Sequence, residues 1–373
     1  MRRFFLVLFL LANVFAARGF AAGLQVRVLL DETDLATVQI AGRHSIWGWA
    51  GRLATVERGQ TYQLLAGAHG IEVTCSAPPC AVQGEVGTLL SLVPAGGLVR
   101  VNGSGYRGYL RVLWREGRLL LINRVGLEDY LRGVLPGEVP ASFPKAVLRA
   151  QAIIARTYTL SRLGSNPDYD LCSTSKCQVY LGADAETARH DRAVSETAGR
   201  VLAYDGKPIS AVYHADSGGK TASAEEVWGS NVPYLKSRSD PWSLSRRWRV
   251  KTSPEQVERA LAELGYQVGT VASIKVLERG VSGRIVEVAV STTSGRLVLR
   301  VPKVSRFLRA LGLPSTLATL SGWTFSGRGS GHGVGLSQWG ARGLARKGWN
   351  YREILAYYYP HTVLTHYQLK AAR

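Results

Sequence analysis

Leu135-Pro136-Gly137-Glu138-Val139-Pro140, followed closely by Lys145-Ala146-Val147-Leu148-Arg149-Ala150-Gln151-Ala152-Ile153-Ile154-Ala155-Arg156-Thr157-Tyr158-Thr159-Leu160-Ser161, is the stretch on which the fold reading turns. In the second segment Ala146, Val147, Ala150, Ile153, Ile154 and Thr157 recur at helical spacing, which predicts a helix with one buried face. Ser142 is placed to cap it, with Pro144 in its first turn. The first segment then reads as part of a linker, with Glu138 at the helix entrance. Upstream, Tyr109–Trp114 and Arg118–Asn123 read as a hairpin across Arg115-Glu116-Gly117. Helices and hairpins mix along the chain without a βαβ rhythm, so the fold class is α+β.

Working outward, residues 23–104 read as a separate β-rich domain with a wall- or partner-binding role. Gln25-Val26-Arg27-Val28-Leu29-Leu30 partly alternates, and short strands follow between Gly-rich turns. Gly96-Gly97 and Asn102-Gly103-Ser104-Gly105 mark its end. A second domain spans 105–365. It has helices over Asp184–Glu196, 254–264, 303–312, 336–347 and 351–358, and strands over 272–278, 284–291 and 296–300. Residues 252–315 form a βα sub-region within it. Residues 1–22 read as a signal peptide: Arg2 and Arg3 precede an apolar run, Phe4–Ala16, that is too short for a membrane span, and small residues follow. No later stretch approaches the roughly 20 apolar residues of a membrane helix. These features predict an exported protein of the periplasm or cell wall, with no transmembrane helix in the mature chain.

The 373 residues carry 46 Lys and Arg against 27 Asp and Glu, a net charge of +19 that favours polyanionic partners. Export argues against nucleic acid and for anionic wall polymer or lipid headgroups. The four Cys form two C-x4-C pairs, Cys75/Cys80 and Cys172/Cys177. In an oxidising compartment two short disulfide loops are the simplest reading, although four Cys allow three pairings. Zinc at Cys172 and Cys177 is the alternative; it wants four ligands, and neither loop contains a His.

Glu138 is the leading candidate for chemistry. Leu135, Val139 and two prolines thin the water around it, and desolvation raises a carboxyl pKa, as a general acid requires. Gly137 leaves room for a substrate to approach the backbone. The structural alternative is a helix-entry Glu held by the dipole. The second informative segment is Gly327-Arg328-Gly329-Ser330-Gly331-His332-Gly333-Val334-Gly335, where His332 is a ligand, a proton carrier or a loop staple. Neither this segment nor Asp216-Ser217-Gly218-Gly219-Lys220-Thr221 meets the phosphate-loop pattern. A Gly-x-Ser-x-Gly elbow and a His-Glu-x-x-His metallopeptidase motif are both absent. Trp228, Trp242 and Trp339 flank the Gly-rich segments as candidates for lining a groove, although most aromatics fill cores.

Glu128–Pro140, Leu148–Tyr158, Cys177-Gln178-Val179-Tyr180-Leu181-Gly182, Tyr213–Thr221 and Gly331–Ala341 together resemble the stage II sporulation protein D (SpoIID/LytB) family. These ordered blocks fall within about 108–360. The resemblance implies cell-wall chemistry: sporulation members are lytic transglycosylases acting on peptidoglycan glycan strands, with their catalytic Glu in the motif that Glu138 occupies. Other members are described as modifiers of a wall amidase, so a non-catalytic, murein-binding amidase enhancer is the alternative. Arg156, Tyr158, His214, His332, Gln338 and Trp339 then become candidate substrate-binding residues. Some members bind zinc through Cys and His near the Cys-Gln-Val-Tyr block; here Ser175 and Lys176 stand where a His would help. The expectation is one catalytic carboxylic acid and no cofactor, with glycan strands and an amidase as partners.

Overall fold

The computed structural model describes residues 23–76 and 78–367; the expected signal peptide lies outside the described residues. It is an α+β protein whose described residues divide into two compact units, one running to Tyr130 with Asn166–Asp170 and the other comprising Leu131–Ser165 and residues 171–367. None of the described helices is long and apolar enough to cross a membrane.

The first unit is built from two antiparallel sheets. One orders the strands Gln25–Thr33, Arg118–Gly126, Tyr109–Arg115, Leu89–Pro94, His44–Gly48 and Gly51–Val56. The other orders Ser104–Tyr106, Val99–Val101, Leu35–Ile40, Thr61–Ala66, Ile71–Cys75 and Gly84–Glu85. Burial alternates along the strands, and the inward residues of both sheets, among them Val38, Leu64, Val73, Leu92, Val112 and Leu121, share one core. The hairpin pairs Arg115 with Arg118 across Glu116 and Gly117, both at positive φ, as a tight two-residue turn demands. It belongs to this unit's first sheet, so the unit runs past the Gly-rich turn at 102–105.

Eight helices are described: α1 (Leu127–Glu138), α2 (Lys145–Arg162), α3 (Ala188–Glu196), α4 (Ala224–Trp228), α5 (Pro254–Glu263), α6 (Lys303–Ala310), α7 (Gln338–Arg346) and α8 (Tyr351–Tyr358). α2 is the spine of the second unit. Val147, Leu148, Ala150 to Thr157, Thr159 and Leu160 are all buried, against α3, α7, α8 and the strand Arg200–Tyr204. Its N-cap is Pro144 with no side-chain cap bond, so Ser142 does not cap it. The linker expected ahead of α2 is instead largely α1, and Glu138 closes that helix rather than opening the next. Pro136 and Gly137 read as helix breakers, but they fall in the last turn, where a lost hydrogen bond costs least, and Leu131, Val134 and Leu135 bury the helix.

Residues 247–328 carry their own core, which gathers Val257 and Leu261 of α5, Phe307 and Leu308 of α6, and Ile274, Ile285, Val288 and Phe325 of two small antiparallel sheets. The Gly-rich loop leads from this region into a parallel pairing of Tyr213 with Leu336 and His214 with Ser337. Ser337 then caps α7.

Candidate active site

Glu138 is held by the elements around it. The segment 178–182 lies against α1, where Leu181 N–H donates to Gly133 O at 3.0 Å. A Cβ on Gly133 would fall 2.5 Å from the Tyr180 ring, and one on Gly137 would fall 2.8 Å from Val179 Cγ1 and 2.9 Å from Val179 O. Gly137 therefore serves close approach of the protein's own backbone, not the substrate access expected of it. This approach brings Val179 N–H to Glu138 Oε1 at 2.9 Å.

Tyr213 supplies a second hydrogen bond to the Glu138 carboxyl. Gln178 Nε2 donates to the Tyr213 hydroxyl at 3.2 Å, directing the phenolic proton toward Glu138. The Thr159 hydroxyl, 2.9 Å from Gln178 Oε1, anchors the amide in turn. Gln178 and Thr159 are fully buried; Glu138 is half-buried. Burial pushes the Glu138 carboxyl above its ordinary range, and the bonds from Val179 and Tyr213 offset only part of that rise. Behind it, His190 on α3 spans Val139 O (3.0 Å) and Thr187 Oγ1 (3.0 Å), pinning the chain just after the carboxyl.

The Gly-rich loop meets the same place. Tyr213 pairs with Leu336 and its backbone accepts from His332. Val334 orders two rings: its N–H donates to His332 Nδ1 (3.0 Å) and its carbonyl faces His214 Nδ1 (3.1 Å). The rings lie 5.7 Å apart, and Trp228 lies 5.3 Å from His332. Burial holds both imidazoles neutral, His332 down to about 4, with the Arg309 charge adding to the effect. His214 Nε2 is buried with no hydrogen-bond partner among the described residues. Gly335 sits at positive φ where a Cβ would meet Val212 O at 2.0 Å, so the loop depends on glycine there. A buried network underlies it: Ser217 donates to Asp240 (2.6 Å), Tyr358 donates to the same carboxylate (3.0 Å), and the Arg284 guanidinium donates to Ser217 O and Lys220 O (both 2.8 Å).

Of the residues singled out in the sequence, Glu138, His214 and His332 cluster around Tyr213. Trp228 joins them through its contact with His332, and the side chains of the rest make other contacts. Arg156 is fully buried and donates to Ala152, Val194 and Arg200 carbonyls at 3.2–3.4 Å, a packing staple between α2 and its neighbours. Tyr158 is half-buried beneath the Arg162 guanidinium. Gln338 is buried and donates to Gln151 Oε1 at 3.4 Å. Trp339 packs edge-on to Phe143 and lies under Arg342. Trp242 packs with Trp349 and Tyr357. Tyr213, Gln178 and the Val179 amide were not singled out, although all three lie in the motif blocks. Their place in those blocks is the signal the sequence holds, because they meet Glu138 only in the folded chain.

Cys75–Cys80 and Cys172–Cys177 are disulfide-bonded, with Cα atoms 5.9 and 5.5 Å apart. The second bond closes the loop that delivers Gln178 and Val179. Zinc does not fit these residues: both sulfurs are consumed, both ring nitrogens of His190 are engaged, and no group of three or more potential His, Cys, Asp or Glu ligands occurs among the described residues.

The stage II sporulation protein profile matches residues 115–204, and a domain of unknown function matches 242–335. An uncharacterized protein of Brachyspira hyodysenteriae is 31% identical over 272 residues, covering 69% of this chain and 72% of its own. The stage II sporulation protein D of Bacillus subtilis is 30% identical over 268 residues, 65% of this chain and 76% of that protein. The Bacillus subtilis amidase enhancer is 31% identical over 290 residues, 64% of this chain but 40% of its own length. The chain belongs to the stage II sporulation protein D family.

Proposed function

We propose that this protein is an exported lytic transglycosylase that cleaves peptidoglycan glycan strands, with Glu138 as the single general acid and base. One observation carries the reading: a half-buried carboxyl, raised in pKa by burial, is oriented by Val179 N–H and Tyr213 beside the His332 loop. An ordinary glycosidase needs two carboxyl groups. A muramic acid residue can replace the second with its own C6 hydroxyl, which is held at high effective concentration. Glu138 donates its proton to the glycosidic oxygen as the bond from the anomeric carbon breaks. The C6 oxygen then bonds to that carbon and returns its proton to Glu138. Proton and electron balance close without water, and the product is a 1,6-anhydro sugar.

Neutral His332 and His214 suit this environment, because an imidazolium near Glu138 would favour the carboxylate and weaken the acid. Trp228, 38% exposed beside His332, offers a flat face to a sugar ring. The alternative, a non-catalytic enhancer of a wall amidase, is favoured by the name of one relative, of which the chain spans 40%. Muropeptide analysis of purified sacculi separates the two. Wild-type protein should release anhydro-muropeptides, and Glu138→Gln should release none while keeping its fold. Equal release by both proteins removes Glu138, and release by neither leaves the enhancer reading.

A further inference from the structure

We propose that the groove between α2 and α3 is a carboxylate-binding subsite for the glycan strand, taking either the lactyl carboxylate of muramic acid or the acidic groups of its stem peptide. The proposal rests on the reading of Glu138 as the acid acting on that strand, but its test does not. The groove is a cleft of about 110 Å³ whose rim carries Lys145, Arg149, Arg189 and Arg192, with Leu148 in its floor and Glu196 as its lone carboxylate.

Three observations point to an anion. First, the cations are placed against the local field. Lys145 opens α2 and Arg189 is the second residue of α3, positions where carboxylates are favoured and cations are not, and Arg192 follows just beyond Asp191 of that first turn. The first turn of α2 holds no acidic residue and no side-chain cap. Second, only part of this charge is neutralised. Glu196 pairs with Arg149 at 2.7 Å, and Arg189 donates to Phe143 O at 3.0 Å, whereas Lys145 and Arg192 are exposed and enter no ion pair among the described residues. Third, the groove is built on the chain leaving Glu138. His190 of α3 holds Val139 O, and Arg189 of the same helix holds Phe143 O, so residues 139–145 run from the carboxyl to the groove's edge. The ligand chemistry follows from the strand. A denuded strand exposes one lactyl carboxylate per muramic acid, and a peptide-bearing strand exposes stem-peptide carboxylates instead. Planar guanidinium groups bind either.

The test is co-sedimentation of the full protein with sacculi freed of phosphate polymers by hydrofluoric acid, comparing wild type, Lys145→Glu/Arg192→Glu, and the control Lys275→Glu/Arg296→Glu. The control changes the net charge equally at exposed positions outside the groove. The groove variant should bind about tenfold more weakly, and the control within about twofold of wild type. Carbodiimide amidation of the sacculi should weaken wild-type binding by a similar factor. Sacculi stripped of peptide by an amidase distinguish the sources: retained binding assigns the lactyl group, and lost binding assigns the stem peptide. Equal losses in groove variant and control, or full binding to amidated sacculi, overturn the proposal. So does loss of wild-type binding on hydrofluoric acid treatment alone, which would assign the groove to a phosphate polymer. These are binding readouts, so they stand even if Glu138→Gln shows that the acid has been misassigned.

Discussion

Gly137→Ala sets two effects of opposite sign against each other in the last turn of α1. Alanine is favoured over glycine in a helix by about 1 kcal/mol. Against this, the new methyl would lie 2.8 Å from Val179 Cγ1 and 2.9 Å from Val179 O. Ordinary carbon contacts need 3.5–4.0 Å, so the segment must retreat by roughly 0.6 to 1.2 Å. Val179 is β-branched and one obstacle is backbone, so rotamer adjustment cannot absorb this. Overpacking of this kind costs about 1–3 kcal/mol. The retreat also stretches the 2.9 Å Val179–Glu138 bond toward the limit of hydrogen bonding, and such a bond to a neutral carboxyl contributes about 0.5–1.5 kcal/mol. Clash and weakened bond outweigh propensity, so urea denaturation should show a net loss of about 0.5–3.5 kcal/mol, and glycan-strand turnover should fall at least tenfold. A variant that gains about 1 kcal/mol and keeps wild-type turnover would show that the 178–182 segment neither needs glycine nor positions the acid.

Tyr213→Phe removes a donor that favours the Glu138 carboxylate, so the carboxyl pKa should rise further and the alkaline limb of kcat/KM should move to higher pH; an unmoved or acid-shifted limb contradicts the bond. His332 has a folded value of about 4 against an ordinary 6.5. The unfolded chain therefore protonates first, and the stability this group confers is full above pH 6.5 and lost as pH falls to about 4, amounting to about 3.5 kcal/mol at 1.4 kcal/mol per unit. His332→Gln should lack that limb in pH-dependent denaturation, and a limb identical to wild type would refute its buried neutral state. Arg156→Lys should lose about 2 kcal/mol of stability, because an ammonium cannot span three carbonyls, while the KM of the folded fraction stays put. A raised KM at unchanged stability would return Arg156 to the groove.

Much of this architecture is legible in the chain. The apolar period over 145–161 gives α2 almost to the residue, and the meander at 271–300 and the terminal helices follow from equally regular patterns. α1 was hidden because Pro136 and Gly137 are local breakers, whereas the reason for Gly137 is a contact with Val179, distant in sequence. Arg156 carried a signal of burial in its Ile153-Ile154-Ala155 surroundings, but two of the three carbonyls it serves lie on α3 and the strand after it. Glu138 stood out because apolar neighbours in sequence also desolvate it in space. The bonds that orient it come from residues 178–179 and 213, and only the folded chain brings them together.

Digestion of sacculi in heavy-oxygen water tests the single-acid mechanism most directly. If the C6 hydroxyl is the nucleophile that Glu138 serves, muropeptides released by the wild-type protein end in 1,6-anhydro sugars and carry no heavy oxygen. Fragments bearing one heavy oxygen at the anomeric carbon would mean that water attacks instead, and would contradict it.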